Sequence, residues 1–296
     1  MSSEHYTKFI RREFDRDPSI AFGARVTEIV DSVIAFAYGT HEDGTPNLIG
    51  TGFCLGNLDD NAGLFATCYH VMDEITQIRD MSPEDLKKEG LVNNERRIAR
   101  LFDDHYEWIE VDPIRFSAKV EVNGTNLVTQ NDVCICRIPD IRLPPLKLSP
   151  DQYFLGSELG IIGFPFFERL QKLSVQPYVQ RAILSCHMRY PFEKDDGELV
   201  ESERIALDCM AGKGFSGSPV FSLRDGAIVG IVDYLPTESY IEDLKIKGSL
   251  SEERDVRVHY AAGISFAVPS KTIQKVLNYA IKVNWQDIHE QKLQIG

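Results

Sequence analysis

The chain has 296 residues and a formal net charge of −13, with 43% hydrophobic and 26% charged residues. This is the composition of an ordinary globular protein, long enough for one large domain or two small ones. The acidic excess argues against general nucleic-acid binding, which needs clustered Lys and Arg to displace counterions. The sequence contains no long apolar run and no apolar core of a secretory signal near Met1. It therefore predicts no membrane binding and a cytoplasmic location.

The first 23 residues are charged and contain one helix-like segment, Tyr6 to Phe14, which ends near Pro18. They predict an N-terminal helical extension, residues 1–23. From Val26 to Gly230 the chain is mostly short apolar runs with turn signals between them, which is typical of a barrel or sandwich. The clearest predicted strands are 32–38, 52–56, 63–67, 118–122, 133–138 and 228–232.

Six cysteines lie mostly within these strand-like runs, and none forms a C-x-x-C pair. Because one residue separates Cys134 from Cys136, both would face the same side of a strand. The pattern predicts buried free thiols and no zinc site, disulfide framework or cofactor. The six are Cys54, Cys68, Cys134, Cys136, Cys186 and Cys209.

Three charged insertions interrupt the strand pattern. In the first, Ser82 followed by Pro83 and two acidic residues predicts a short helix. The second, Glu193 to Glu203, is acidic and predicts a surface loop. The third, Pro236 to Arg257, is long and charged, which is typical of a functional lid or of disorder.

An amphipathic helix is predicted at Lys271 to Val283, with Ser270 as its N-cap. Its apolar face comprises Ile273, Val276, Leu277 and Ala280. Residues 286–296 form a tail.

Three polar residues lie in local sequence contexts that would suit catalytic residues. Ser216 lies in a Gly-framed turn, Gly212 to Val220, which can present a hydroxyl and leave N–H groups free for an oxyanion. His70 follows the strand 63–67, and Asp132 precedes the strand 133–138. Each of these features alone is more often that of an ordinary structural residue.

Taken together, the order His70, Asp132, Ser216 and the local contexts resemble the trypsin-like serine peptidases, most closely their HtrA/Deg-type branch. The similarity extends over residues 25–285. It is carried by blocks that occur in the family's order, namely 50–53, 66–71, 131–138, 159–166 and 263–270.

This resemblance implies a mainly β, chymotrypsin-like peptidase domain over residues 24–285. Its parts would be two six-stranded antiparallel β-barrels, at 24–145 and 150–268, and a closing helix at 270–284. The resemblance also implies a mechanism. His70 would take the proton of Ser216, Asp132 would hold the His70 tautomer, and the N–H groups of Gly214 and Ser216 would form the oxyanion hole. No cofactor or metal is needed.

The resemblance further implies a substrate pocket between the segments 208–213 and 231–235. Met210 stands where members specific for basic residues carry an acid, so an apolar floor predicts small or medium apolar residues at the cleavage position. Lys213 at the rim would either favour acidic neighbours or simply be solvated. The implied binding residues are Met210, Ala211, Lys213, Val232, Asp233, Tyr234 and Leu235.

Two positions depart from the family pattern. Phe215 replaces the Asp that pairs with a new N-terminus in digestive members, so activation by trimming is not expected. Control by the 193–203 or 236–257 segment, through a regulatory protein partner, would fit better. Asp233 replaces a small polar residue near the catalytic acid, where a second carboxylate would raise one of the two pKa values. Asp233 either points away or marks an enzyme held inactive until it rearranges.

The resulting hypothesis is a serine endopeptidase that cleaves a specific intracellular protein. One alternative is a pseudo-protease that serves as a peptide- or protein-binding module. The other is an unrelated β-rich binding domain in which the motifs are accidental.

Overall fold

The computed structural model shows a mainly β protein with few helices. Two features named above, the helix predicted at Tyr6 to Phe14 and the pocket residue Leu235, lie outside the described residues, as does most of the tail. The described residues are 18–58, 60–102, 105–111, 114–117, 121–122, 125–165, 175–193, 199–234, 237–242, 256–261, 263–284 and 294–295.

Two of the helices in the described part confirm predictions. At α3 the Ser82 hydroxyl accepts the Asp85 N–H at 3.2 Å, and Pro83 occupies the first turn. Helix α5 covers the predicted span, but Ser270 is its first residue and not the predicted N-cap, and the Ser270 hydroxyl donates to the Ser149 carbonyl at 2.8 Å. The described helices are α1 (Pro18–Ile29), α2 (Tyr69–Arg79), α3 (Pro83–Lys88), α4 (Leu127–Asn131) and α5 (Ser270–Asn284), with a 3-10 turn at Val30–Ser32.

Helices α1, α2 and α4 were not predicted. The described part of α1 starts at Pro18, near which the sequence analysis placed a helix end. None of the helices in the described segments is long and apolar enough to cross a membrane.

The described residues contain eighteen strands. They are β1 (Val33–His41), β2 (Pro46–Asn57), β3 (Gly63–Thr67), β4 (Leu91–Phe102), β5 (His105–Glu110), β6 (Arg115–Phe116), β7 (Glu121–Val122), β8 (Thr125–Asn126), β9 (Cys134–Ile138), β10 (Glu158–Gly163), β11 (Tyr178–Glu193), β12 (Leu199–Leu207), β13 (Pro219–Ser222), β14 (Ile228–Tyr234), β15 (Thr237–Glu242), β16 (Val256–Ala261), β17 (Ser265–Pro269) and β18 (Gln294–Ile295).

The C-terminal half is the closed six-stranded barrel that the resemblance implies. Its strand order is β10-β11-β12-β17-β14-β13, and every neighbouring pair is antiparallel. Apolar side chains from all six strands form one buried cluster. The cluster also contains Phe215 from the serine loop, the turn that runs from Gly212 to Val220 around Ser216.

The N-terminal half corrects the expectation of a second closed barrel. Its strands form an open sheet in the order β5-β4-β1-β2-β3-β9-β6, with β18 paired to β2. The edge strand β6 has only two residues, and both pair with β9. Within the described residues β6 does not pair with β5, the strand at the other edge, so the sheet stays open.

The described parts of two charged insertions are strand. The segment 193–203 is the turn region of a β11–β12 hairpin in which Glu193 pairs with Leu199, and only 194–198 lie outside the described residues. The ends of the segment 236–257 belong to a second hairpin, β15–β16. The loop prediction for 193–203 failed because charged residues were taken as a sign of loop, although exposed strands carry them too. The prediction of a lid or of disorder at 236–257 falls mostly on 243–255, which lie outside the described residues.

The core confirms the cysteine prediction for five of the six thiols, since only Cys186 is exposed. Cys134 and Cys136 share one apolar cluster, while the alternate residue Ile135 packs in another. Strand β9, which leads away from Asp132, is therefore buried on both faces. The predicted apolar face of α5 is also fully buried.

Candidate active site

His70 is placed by the junction of β3 and α2. Strand β3 ends at Thr67, Cys68 is the N-cap, and His70 lies in the first turn of the helix. Its Nδ1 lies 2.6 Å from Asp132 Oδ2, and its backbone N–H donates to Asp132 Oδ1 at 2.9 Å. Because a carboxylate only accepts, Nδ1 carries the proton of the neutral ring, and Nε2 is its basic nitrogen.

Asp132 is held at the end of α4 in the left-handed conformation, with φ +53°, which Asp adopts more readily than most residues. Its backbone carbonyl accepts the Tyr69 N–H at 3.3 Å. Asp132 therefore binds the first two N–H groups of α2, and its negative charge lies at the positive end of that helix. This arrangement fixes the carboxylate and the imidazole relative to each other.

The electrostatics favour a basic imidazole. Burial opposes the charged ring, but the hydrogen bond to Asp132 and the charges of Asp132, Asp233 and Glu74 outweigh it and raise the pKa of His70. A raised pKa increases the affinity of Nε2 for a proton, which is what a general base needs.

Ser216 lies where two tight turns meet. The Phe215 N–H donates to the Gly212 carbonyl at 3.1 Å, and the Ser218 N–H donates to the Phe215 carbonyl at 2.9 Å. The third residue of each turn is a glycine with positive φ, +93° at Gly214 and +89° at Gly217. This is the type II turn, which needs glycine at that position.

The two turns leave donors unused at the expected oxyanion hole. In the described part of the chain, the N–H groups of Gly214 and Ser216 donate to no protein acceptor. The Ser216 hydroxyl likewise has no hydrogen bond among the described residues, so it is not bonded to His70 here. Catalytic hydrogen bonds are often long in a substrate-free site and tighten on binding. The arrangement can receive a carbonyl oxygen without first breaking contacts of its own.

Thr51, on β2, anchors the serine loop, although the sequence analysis noted it only as part of a block. Its N–H donates to the Ser216 carbonyl at 2.8 Å, and its hydroxyl donates to the Gly214 carbonyl at 2.9 Å. The same hydroxyl accepts the Phe164 N–H at 3.0 Å. Fully buried, Thr51 thereby ties the sheet, the serine loop and the end of β10 together. A buried threonine between two glycines is the only sequence signal for it.

Phe215 fixes the loop from the other side. Its side chain is 2% exposed and packs in the barrel core, against Gly163. Apolar burial therefore takes the place of the ion pair that the sequence comparison found missing. The loop therefore forms its two turns, with the N–H groups of Gly214 and Ser216 available, although position 215 makes no ion pair.

The other residues predicted to line the pocket are divided between core and surface. Ala211 and Val232 are buried, while Met210 is 55% exposed and Lys213 is exposed. The Val232 carbonyl accepts the Gly217 N–H at 2.8 Å, which joins β14 to the serine loop. Tyr234 is described only by its backbone, which pairs with Phe266.

Asp233 points into the protein and not into a solvated pocket. Its carboxylate is almost completely buried, and Oδ2 lies 2.5 Å from the Nε of Arg204, a residue that sequence reasoning missed. Burial raises the pKa of Asp233 to about 6, with the Arg204 charge opposing this rise. No local sequence signal marks Arg204, because its partner is 29 positions away on another strand.

The chemistry of this cluster fits acid–base work better than metal binding. Cys68, His70 and Asp132 each place one potential ligand atom within 4.8 Å of the others. The Cys68 thiol, however, donates to the Val232 carbonyl at 3.1 Å, and burial with the charges of Asp132 and Asp233 raises its pKa well above the usual range. A thiol must lose its proton to bind a metal tightly.

Comparison with known proteins identifies the family and the fold. A family model described as a trypsin-like peptidase domain matches residues 50–231. The active form of the Rv3671c protease from M. tuberculosis superposes with a TM-score of 0.53 at 17% identity, covering 90% of this chain and 87% of that one. The HtrA-type protease AlgW with a decapeptide gives 0.52 at 16% identity, covering 89% of this chain and 67% of that one. No curated protein sequence matches the chain.

Proposed function

Because this chain belongs to the trypsin-like peptidase family, we propose that it is a serine endopeptidase in which Ser216 is the nucleophile and His70 and Asp132 complete the triad. The observation that carries the proposal is the double contact of Asp132 with the ring and backbone of His70. It fixes the tautomer in which Nε2 can accept the proton of a serine hydroxyl.

In the proposed first step, the Ser216 oxygen attacks the peptide carbonyl while His70 Nε2 takes the hydroxyl proton. The negative charge that develops on the carbonyl oxygen is bound by the N–H groups of Gly214 and Ser216, each worth about 3 kcal/mol. His70 then gives its proton to the leaving amine, and the acyl-enzyme remains. Water, activated by the same ring, hydrolyses the ester and restores Ser216.

The direct test is labelling with a fluorophosphonate, which reacts only with an activated serine. We expect one label per chain, located on Ser216 by peptide mapping, and no label on His70→Ala. If the folded chain takes up no label, the second candidate is favoured, a peptide-binding module without turnover. The observation on its side is that the Ser216 hydroxyl is not bonded to His70 in the described structure.

We further propose cleavage after small or medium apolar residues, on the ground that Ala211 and Val232 are buried and uncharged. In a peptide library, kcat/KM for Ala or Val at the cleavage position should exceed that for Lys or Arg by at least about 10-fold. The physical reason is that burying the charged side chain of Lys or Arg without a partner costs free energy. Faster cleavage after Lys or Arg would refute the preference.

A further inference from the structure

A buried ion pair adjoins the His70–Asp132 pair and is not explained by stability. The side chains of Arg204 and Asp233 are only 8% and 5% exposed, and Asp233 Oδ1 has no hydrogen-bond partner among the described residues. Buried ion pairs can often be replaced by apolar residues without loss of stability, since desolvation offsets their attraction. A buried charged pair beside the proposed reacting groups therefore points to a role in the reaction.

Arg204 uses all three guanidinium nitrogens. Nε contacts Asp233, one terminal nitrogen contacts the Ser202 hydroxyl and the Glu203 carbonyl (3.0 Å), and the other donates to the Asn131 carbonyl at 3.3 Å. The Ser202 hydroxyl also donates to Asn131 Oδ1 at 3.0 Å. Strand β12 thus holds the residue directly before Asp132.

The geometry points to Arg204 and Asp233 as positioning residues for the proposed triad: the guanidinium fixes the backbone that presents Asp132 and offsets the second carboxylate near His70. This inference rests on the proposed function, since it concerns how well His70 serves as a base. Arg204 and Asp233 themselves act only through Asp132 and His70.

The charges around the ring determine the direction of the effect. Asp132 from the end of α4, Asp233 from β14 and Glu74 from α2 each raise the pKa of His70. Burial raises the pKa of Glu74, and the charge of Lys213 in the serine loop opposes that rise. The buried thiol of Cys68 lies near Asp132, Asp233 and Arg204. Removing the Asp233 charge alone therefore lowers the pKa of His70.

Two conservative variants separate charge from position. Asp233→Asn keeps the shape but loses the charge, so the pKa of His70 should fall. Because catalysis requires a neutral His70 ring, kcat/KM falls at low pH. This acid limb of the pH profile should move to lower pH by the same amount. Arg204→Lys keeps the charge but cannot make the multiple contacts of a guanidinium. It should lower kcat by about 10- to 100-fold with little change in KM or in the acid limb.

The control is Glu201→Gln, which removes an exposed ion pair, Arg189–Glu201, from the same hairpin. It should change neither the acid limb nor kcat, because exposed pairs contribute little. If Asp233→Asn leaves the pKa of His70 where it is, or Arg204→Lys leaves kcat unchanged, the inference is overturned.

The pKa of His70 can also be read by NMR titration in a Ser216→Ala background, where no turnover is needed. An unmoved pKa there overturns the inference even if the wild-type chain cleaves peptides. A shifted pKa in a protein that never takes up a fluorophosphonate supports the coupling and refutes the proposed function instead. Failure of the positioning inference and failure of the proposed function therefore give different results.

Discussion

Replacing Ser216 with alanine is expected to lower kcat for peptide hydrolysis by about 10⁶-fold while leaving peptide affinity nearly unchanged. The substitution removes the only atom proposed to bond covalently to substrate. It leaves the Ser216 backbone, whose carbonyl accepts from Thr51 and whose N–H is available for the oxyanion. Initial rates with a cleavable peptide and a direct binding measurement check the two parts.

The matched control is Ser218→Ala in the same loop. Ser218 is fully buried, and within the described part of the chain its hydroxyl has no hydrogen-bond partner. Removing an unsatisfied buried hydroxyl should not lower stability, and activity should stay near wild type. Hydrolysis that survives Ser216→Ala but not Ser218→Ala would contradict the assignment of the nucleophile.

The sequence could predict the triad because each member lies in a short, recognisable context. His70 follows a strand, Asp132 precedes one, and Ser216 stands between glycines, so local residues and chain order were enough for a hypothesis. The structure brings His70 and Asp132 into contact, as predicted, although they are 62 positions apart. The side-chain contact of Ser216 with His70 stays a prediction.

What the sequence could not predict depends on long-range contacts. Thr51 reaches Gly214 across 163 positions and Arg204 reaches Asp233 across 29, so neither role leaves a local pattern. The same holds for the N-terminal sheet, whose failure to close depends on which edge strands meet. The acidic segment at 193–203 was misinterpreted because charge indicates exposure, which a long hairpin shares with a loop.

Gly217→Ala is expected to be the most damaging small change in the serine loop. The backbone at 217 has φ +89°, where an L side chain costs about 1–2 kcal/mol. A Cβ there would also overlap the Thr51 carbonyl oxygen and lie 2.5 Å from Thr67 Oγ1. Because a backbone oxygen cannot rotate away, the loop must shift, and Ser216 with it.

We therefore expect Gly217→Ala to lower the free energy of unfolding by about 3 kcal/mol in urea denaturation and kcat by about 100-fold or more. Gly212→Ala is the matched control, since a Cβ at 212 meets nothing within 4 Å and φ there is not positive. It should change stability by no more than about 0.5 kcal/mol and keep activity. Equal losses in the two variants would mean that glycine at 217 is not what holds Ser216, and the contact with Thr51 would then be incidental to the site.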